Sequence, residues 1–211
     1  MAIKSQNTAI AVSTATASAK TITAATAANP VVVTSSAHGL TAGTIVVITG
    51  VVGMIQLNNR SFVVANPATN TFELKGIDGT SYTTYTSGGS ATPQTMTAVG
   101  EVTSADGFDG QASEIDTTNL LSTAKEFLLG LQDFGGVNLG LFMKNTDTGQ
   151  QKMRSLKTSA STGTFSITLS NGEIAAFQAL VKQFSFQGIT PDGAVTAQSA
   201  LRVTGEPSWF A

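Results

Sequence analysis

Thr164-Phe165-Ser166-Ile167-Thr168-Leu169-Ser170-Asn171-Gly172 decides the fold. Phe165, Ile167 and Leu169 fall on one side of an extended chain, and Thr164, Ser166 and Thr168 on the other. That period of two marks a half-buried β-strand. Asn171-Gly172 follows at once, and this dipeptide accepts the positive φ angles of a tight hairpin turn. A helix also fits what comes next, through Ile174, Phe177, Leu180 or Val181, and Phe184, with Ser170 and Glu173 as a capping box. The turn signal directly after a strand favours the hairpin. It predicts a long second strand in which Leu180, Phe184 and Phe186 share a face and Lys182 marks its exposed part.

Working outward, Thr196 to Thr204 reads as the last strand before Gly205-Glu206-Pro207-Ser208-Trp209. Residues 147–160 place Met153, Leu156 and Ala160 three and four apart, which predicts an amphipathic helix laid on a sheet. Val137 to Met143 alternates as a strand. Between Asp116 and Phe134, Leu120, Ala124, Phe127 and Leu128 have helical spacing, with Thr117 or Thr118 able to cap. The expectation there is a short helix on a long loop, ended by Gly135-Gly136. Ala98 to Ser104 and Gln111 to Ile115 are expected strands around the turn-rich Asp106-Gly107-Phe108-Asp109-Gly110.

The N-terminal half divides in two. Residues 29–92 read as a compact β-module. Val31-Val32-Val33, Thr44 to Ile48, Ser61 to Val64 and Thr71 to Leu74 are its strands, and Asn66 to Asn70 and Asp78-Gly79 its turns. Ser87-Gly88-Gly89-Ser90 with Pro93 reads as a linker. Residues 1–28 are rich in Ala, Thr and Ser. Weak alternation through Ala9, Ala11 and Ile22 suggests an arm or edge strand, and segments 1–22 and 116–135 are expected to be mobile until neighbours order them.

Composition supports a β-rich protein with broad contact surfaces. The chain has 211 residues, with 41% hydrophobic and only 11% charged. Its polar surface therefore comes from 32 Thr and 20 Ser, and Thr is stiff at χ1 and suits a pleated surface. Few charges need desolvating when such a surface is covered. No block of Lys or Arg offers a grip on DNA or an anionic membrane. Residues 1–98 hold Lys4, Lys20, Arg60 and Lys75 against Glu73 and Asp78, whereas residues 99–211 hold seven basic and eleven acidic groups. With no Cys, disulfides and thiolate metal sites are excluded. No apolar run reaches the ~18 residues of a membrane helix. The N-terminus makes a poor signal peptide, so synthesis and assembly in a cytoplasm are expected.

Chemistry finds little to use. His38 is the only His, too few for a triad or a His-rich metal site, and Ala-His-Gly-Leu reads as a turn. No P-loop, G-x-S-x-G or G-x-G-x-x-G occurs. Asp106 and Asp109 lack the ligand density of a Ca²⁺ site. Catalytic, metal and cofactor residues are accordingly expected to be absent.

Several stretches between 97 and 211 occur in the order of a known family. They are Thr97-Ala98-Val99-Gly100-Glu101-Val102-Thr103, then Glu114-Ile115-Asp116-Thr117-Thr118-Asn119-Leu120. Lys125-Glu126-Phe127 and Gly130 to Gly135 follow, then Gly149-Gln150-Gln151 and Phe165 to Gly172. Phe177, Phe184-Ser185-Phe186 and Val203 to Trp209 complete the series. This pattern resembles the lambda-like tail tube proteins of siphophages, the phages with long non-contractile tails.

The resemblance implies a mainly β tail-tube sandwich or barrel with one flanking helix. Residues 1–28 would be its N-terminal strand region, 93–211 its core, and 29–92 an inserted small all-β domain pointing outward. It also implies a structural virion protein, assembled in the bacterial host cytoplasm. Six subunits would close into a ring, with rings stacked into a tube that conducts DNA. Partners would be further copies and the tape measure, tail tip and terminator proteins, with no membrane insertion. Asp116, Thr117, Leu120, Leu121, Phe127, Leu128, Leu129 and Phe134 would form the ring-stacking loop. The acidic excess after residue 99 suits a lumen from which DNA must slide free, and Glu101 and Glu114, on candidate strands, are the lumen candidates.

Three other readings compete. Another β-rich assembly protein, such as a terminator, fibre or secretion-type tube, shares the composition. A glycan- or host-binding module would need exposed aromatics, for which Phe72, Tyr82 and Tyr85 are the candidates. An enzyme would need convergent titratable groups.

Overall fold

The computed structural model describes residues 3–209, so the ends of the expected first and last segments, 1–2 and 210–211, lie outside it. The protein is mostly β with a single α-helix among the described residues. The first strands are β1 (Ala9–Thr16), β2 (Lys20–Thr21), β3 (Ala24–Ala25), β4 (Val32–Thr34) and β5 (Ile45–Val52). A 3-10 turn at Ile55–Leu57 precedes β6 (Arg60–Ala65), β7 (Thr71–Leu74), β8 (Ser87–Ala98) and β9 (Val102–Gly107). Then come β10 (Glu114–Asp116), β11 (Phe127–Leu129), β12 (Gly136–Phe142) and α1 (Thr148–Ser159). The chain closes with β13 (Thr162–Thr168), β14 (Ile174–Gln187) and β15 (Thr196–Ser208). Every pairing is antiparallel, in the order β3-β4-β7-β6-β5-β8-β1-β13-β14-β15-β12-β9, with β2 on β8 and β10–β11 a separate pair.

Two apolar clusters fill this sheet. One gathers Val12, Leu139, Leu141, Met153, Phe165 and Phe177, with α1 laid against it. The other lies within the module and gathers Val33, Ile48, Phe62, Phe72 and Leu74. Met153 and Leu156, three apart, are the buried stripe of α1. Asp147 caps the helix by accepting from the Gln150 N–H at 2.8 Å. The Asn171-Gly172 hairpin forms as read: Gly172 takes φ +87° and β13 pairs with β14 from Thr162↔Leu180 to Thr168↔Ile174.

Five local expectations are corrected. The expected arm or edge strand at the N-terminus is central: β1 pairs with β13 on one side and β8 on the other. Ile10 and Val12, not Ala9 and Ala11, face the core. The expected linker at 87–93 is the first half of β8. Its residues Ser87 to Pro93 pair with β5 and Gln94 to Ala98 with β1, so one strand runs through both units. Gly88, opposite Val51, and Gly89, against Gly50, take positive φ, as Gly50 does, and so bend the strand rather than free it. Pro93, with no N–H to donate, sits where β8 passes from one partner to the other.

The expected strand from Ala98 to Ser104 is broken by a turn between β8 and β9, in which Glu101 has φ +61°. Leu180, Phe184 and Phe186 do not share a buried face. The register of β14 against β15 shifts between Val181 and Gln183, with Lys182 as the extra residue. That bulge changes the phase of the alternation, so Phe177, Ala179 and Val181 before it and Phe184 after it face the core while Leu180 does not; Phe186 shares the side of Phe184 but is 58% exposed. Finally, 116–134 holds no helix. Side chains there take the backbone donors a helix would need: Asp116 accepts from the Thr118 N–H at 2.8 Å, Asn119 from Leu121 at 2.9 Å and Thr118 from Glu126 at 3.1 Å.

Core and module are joined by more than β8. Ile45, Val63 and Ala176 bury a small apolar patch between them, with Met96 and Ile174 at its rim. Arg60 is buried, ion-paired to Glu206 at 3.0 Å, and donates to the Gln56 carbonyl and the Tyr82 hydroxyl. Ser208 donates to the Ser61 carbonyl at 2.6 Å.

Candidate assembly surfaces

The strand pair β10–β11 projects Leu120, Leu121 and Leu131 almost fully into solvent, at 104%, 91% and 92% exposure. Ile115, Phe127, Leu128 and Leu129 are at least half exposed beside them. An apolar run on this scale, tied to the body only at its base, marks a contact surface. Glu114↔Leu129, Ile115↔Leu128 and Asp116↔Phe127 set its register. Asp116 sits below its ordinary pKa because the Thr118 hydroxyl and then the Thr118 N–H bond its carboxylate. Thr117 ties across to Glu126, its N–H meeting the Glu126 carbonyl at 2.9 Å. Phe134 differs from the other expected loop residues: it is half-buried and packs on the core.

The base of this hairpin is a small polar buckle. Asp109 accepts from the Gly136 N–H at 2.9 Å, and Asp133 from the Gly135 N–H at 2.8 Å. Gly110 lies against Asp133 and Gly135 so closely that no Cβ fits there. Asp133 also pairs with Arg202 on β15. The Gly135 N–H first, and then Arg202, hold its carboxyl below the usual value of 3.8. A depressed folded pKa makes this contribution complete at neutral pH and removes it as pH falls through the folded value. Protection of the Gly135 amide from hydrogen exchange is therefore expected at neutral pH and lost in strong acid. Equal protection factors at both pH values would show that the carboxylate does not hold the base.

The other predicted residues lie apart. Glu101 is in the turn after β8, 3.7 Å from Lys144, and Glu114 is on β10. His38 is buried, bonded to the Thr71 carbonyl and the Leu40 N–H, and set edge-on to Phe72. Phe72 is itself buried, and the Tyr82 and Tyr85 hydroxyls are engaged by Arg60 and by the Ile22 and Gly88 carbonyls. Of the aromatics named for glycan binding, Phe72 thus belongs to the module's interior, and Tyr82 and Tyr85 are half-buried against it. Trp209 stacks edge-on against Phe108, which in turn meets Phe177.

A cleft of about 590 Å³ lies beside β9, and its only charged lining residues are Lys4 and Asp106. Among the described residues no group of three or more His, Asp or Glu is placed to hold a metal, and no helix is long and apolar enough to cross a membrane. Sequence reading passed over Gln150. It is fully buried and donates to the Gly100 and Phe142 carbonyls while accepting from the Lys144 N–H. Its place in Gly149-Gln150-Gln151 marked a helix start, but nothing local signals a bond to Gly100, fifty positions away.

Residues 78–177 match the family model described as phage tail tube, TTP, lambda-like. Residues 28–94 match the model for the ubiquitin-activating enzyme E1 FCCH domain. No curated protein matches the chain. Among solved structures, a chain from the virion of a native gene transfer agent particle is 17% identical, with a TM-score of 0.48, over 55% of this chain and 89% of that one. A chain from the tail of an empty gene transfer agent particle, refined with helical and C6 symmetry, is 13% identical, with a TM-score of 0.47, over 55% and 87%.

Proposed function

We propose, from the premise that this is a structural tail tube protein of the lambda-like phage type, that six copies close into a ring and that stacked rings form a tube conducting DNA. The match over residues 78–177 carries this reading. The surfaces suit it. Among the described residues strand β9 has a partner on one side only, β12, and a free edge of this kind is met by another copy when a ring closes. The hairpin supplies a second, axial contact. Asp116 and Thr117 hold its turn, and Leu120, Leu121, Phe127, Leu128 and Leu129 face the next ring. Phe134 anchors it to its own subunit. Two different heterologous contacts, one closing and one repeating, generate a tube.

On this reading residues 1–28 and 93–211 make the tube wall, and 29–92 stand on its outside as a fixed knob. The protein binds no cofactor and catalyses nothing. It assembles in the host cytoplasm with tape measure, tip and terminator proteins and passes into the virion tail. Glu101 and Glu114 are lumen candidates by charge alone. Negative-stain electron microscopy of the purified protein, with sizing at rising concentration, tests the reading. Stacked rings or hollow tubes are expected. A monomer at every concentration, or closed particles of another shape, would overturn it in favour of a tip, terminator or fibre role.

A further inference from the structure

We infer that the outward face of β9, β12, β15 and β14 is the wall of the DNA channel, and that this wall is built mainly of neutral amides and hydroxyls rather than carboxylates. The inference rests on the tube reading above and assigns its lumen. The register puts residues of four strands into rows. Ser104 lies opposite Gly140, Gly140 opposite Gln198 and Gln198 opposite Ser185. The next row is Asp106, Asn138, Ala200 and Gln183, and a third holds Phe142, Thr196 and Gln187. Between these rows, Val137, Leu139, Leu141, Ala197 and Leu201 point the other way into the core.

The exposed face is therefore a largely polar surface, interrupted by Gly140, Ala200 and the 42%-exposed Phe142, with Asp106 the one charge in these rows and Glu101, whose carbonyl accepts from the Phe142 N–H at 2.9 Å, beside the last of them. Lys182 stands at the bulge beside them. Arg202, one row further on, is neutralised by Asp133. The neutral groups bond one another: the Gln187 amide donates to the Gln198 carbonyl oxygen at 2.7 Å, and the Gln183 amide to the Ser185 hydroxyl at 2.9 Å.

Competing faces have other occupants. The opposite ends of β14 and β15 are covered by the module through Arg60, Ile45 and Val63. The hairpin is apolar and unsuited to lie along a polyanion. DNA adheres where cations replace its counterions, and this face offers almost none. Nor does it offer a row of aromatics on which bases stack. The dimensions fit as well. At roughly 4.8 Å per strand, four strands from each of six copies give a circumference of roughly 115 Å, or a ring about 37 Å across at the backbone. Strand tilt widens it further. A hydrated duplex passes such an opening.

The chain contains no Cys, so single-thiol variants report cleanly. Gln198→Cys and Asn138→Cys sit in the proposed wall, and Thr69→Cys sits on an exposed turn of the module. Each is treated with a small maleimide and with a bulky polyethylene-glycol maleimide, before and after assembly. In free subunits all three react with both. In tubes, the two wall thiols are expected to lose bulky-reagent reactivity at least tenfold while still reacting with the small one, and Thr69→Cys to react with both.

Bulky labelling of Gln198→Cys and Asn138→Cys in intact tubes would place the face outside. Loss of small-reagent labelling would place it in a subunit contact. Either result overturns the inference while leaving the tube reading intact. Failure of the unsubstituted chain to form tubes overturns the reading itself and is seen by microscopy before any labelling. The neutrality of the wall is tested separately with Ser104→Lys/Gln198→Lys tubes. These should retain duplex DNA at least tenfold more than unsubstituted tubes at low salt and release it at high salt. Equal retention would overturn that part.

Discussion

Subunits carrying Leu120→Asp with Leu121→Asp are expected to fold normally and to build no tubes. Both side chains stand more than nine-tenths exposed, so the subunit loses no burial when they change. Exposed positions of this kind shift stability by about 0.5 kcal/mol or less, so the melting temperature should stay within about 2 °C. Assembly is another matter. Burying a Leu side chain contributes about 1.5–3 kcal/mol, so two per hairpin contribute roughly 3–6 kcal/mol to each axial contact. Two carboxylates placed there also resist desolvation. At about 1.4 kcal/mol per tenfold, the concentration needed for stacking rises at least a hundredfold. Sizing across a concentration series and microscopy read this directly. Tubes of ordinary length at the ordinary concentration would mean that the hairpin tip is not in the axial contact.

A second large effect is expected at Gln150, this time on stability. Its side chain has no exposed surface and satisfies three backbone groups: the carbonyls of Gly100 and Phe142, and the N–H of Lys144. Gln150→Leu keeps the bulk and removes every bond. Each buried polar group left alone costs about 1–3 kcal/mol, so the total is roughly 3 kcal/mol or more. For a chain of this size that lowers the melting temperature by about 6–12 °C. Gln151→Leu is the control, because Gln151 is exposed and bonds only the Asn145 carbonyl. A Gln150→Leu protein melting with the Gln151→Leu protein would show that water replaces the lost bonds.

The same two regions show what local sequence carries and what it does not. The strand-turn-strand at 162–187 was legible because period-two alternation and Asn171-Gly172 are both local signals, and the helix at Thr148–Ser159 because the three- and four-residue spacing through Met153 and Leu156 is. The bulge at Lys182 was not, because an extra residue in one strand is defined only by the partner strand. Helical spacing from Leu120 to Leu128 misled because it counts apolar positions and ignores what Asp116, Thr118 and Asn119 do to the backbone donors. Ser87 to Pro93 looked like a linker by composition, yet long-range pairing with β5 decided its state. The polar face inferred to be the wall was hidden for the same reason. Ser104, Asn138, Gln198 and Ser185 are ordinary surface residues in sequence, and only register puts them in neighbouring rows.

Strand β8 has a mechanical consequence. It leaves the module as the partner of β5 and enters the tube domain as the partner of β1 without a break. If residues 29–92 stand outside the tube as proposed, a sideways load on them would reach the wall along the strand's own axis, where the ladder bonds must slide together rather than open one at a time. Glu206 and Ser208, gripping Arg60 and Ser61 from β15, brace the same joint from a second direction. A tail studded with such knobs would behave under drag or bending as a ribbed pipe, not as a pipe hung with pendants.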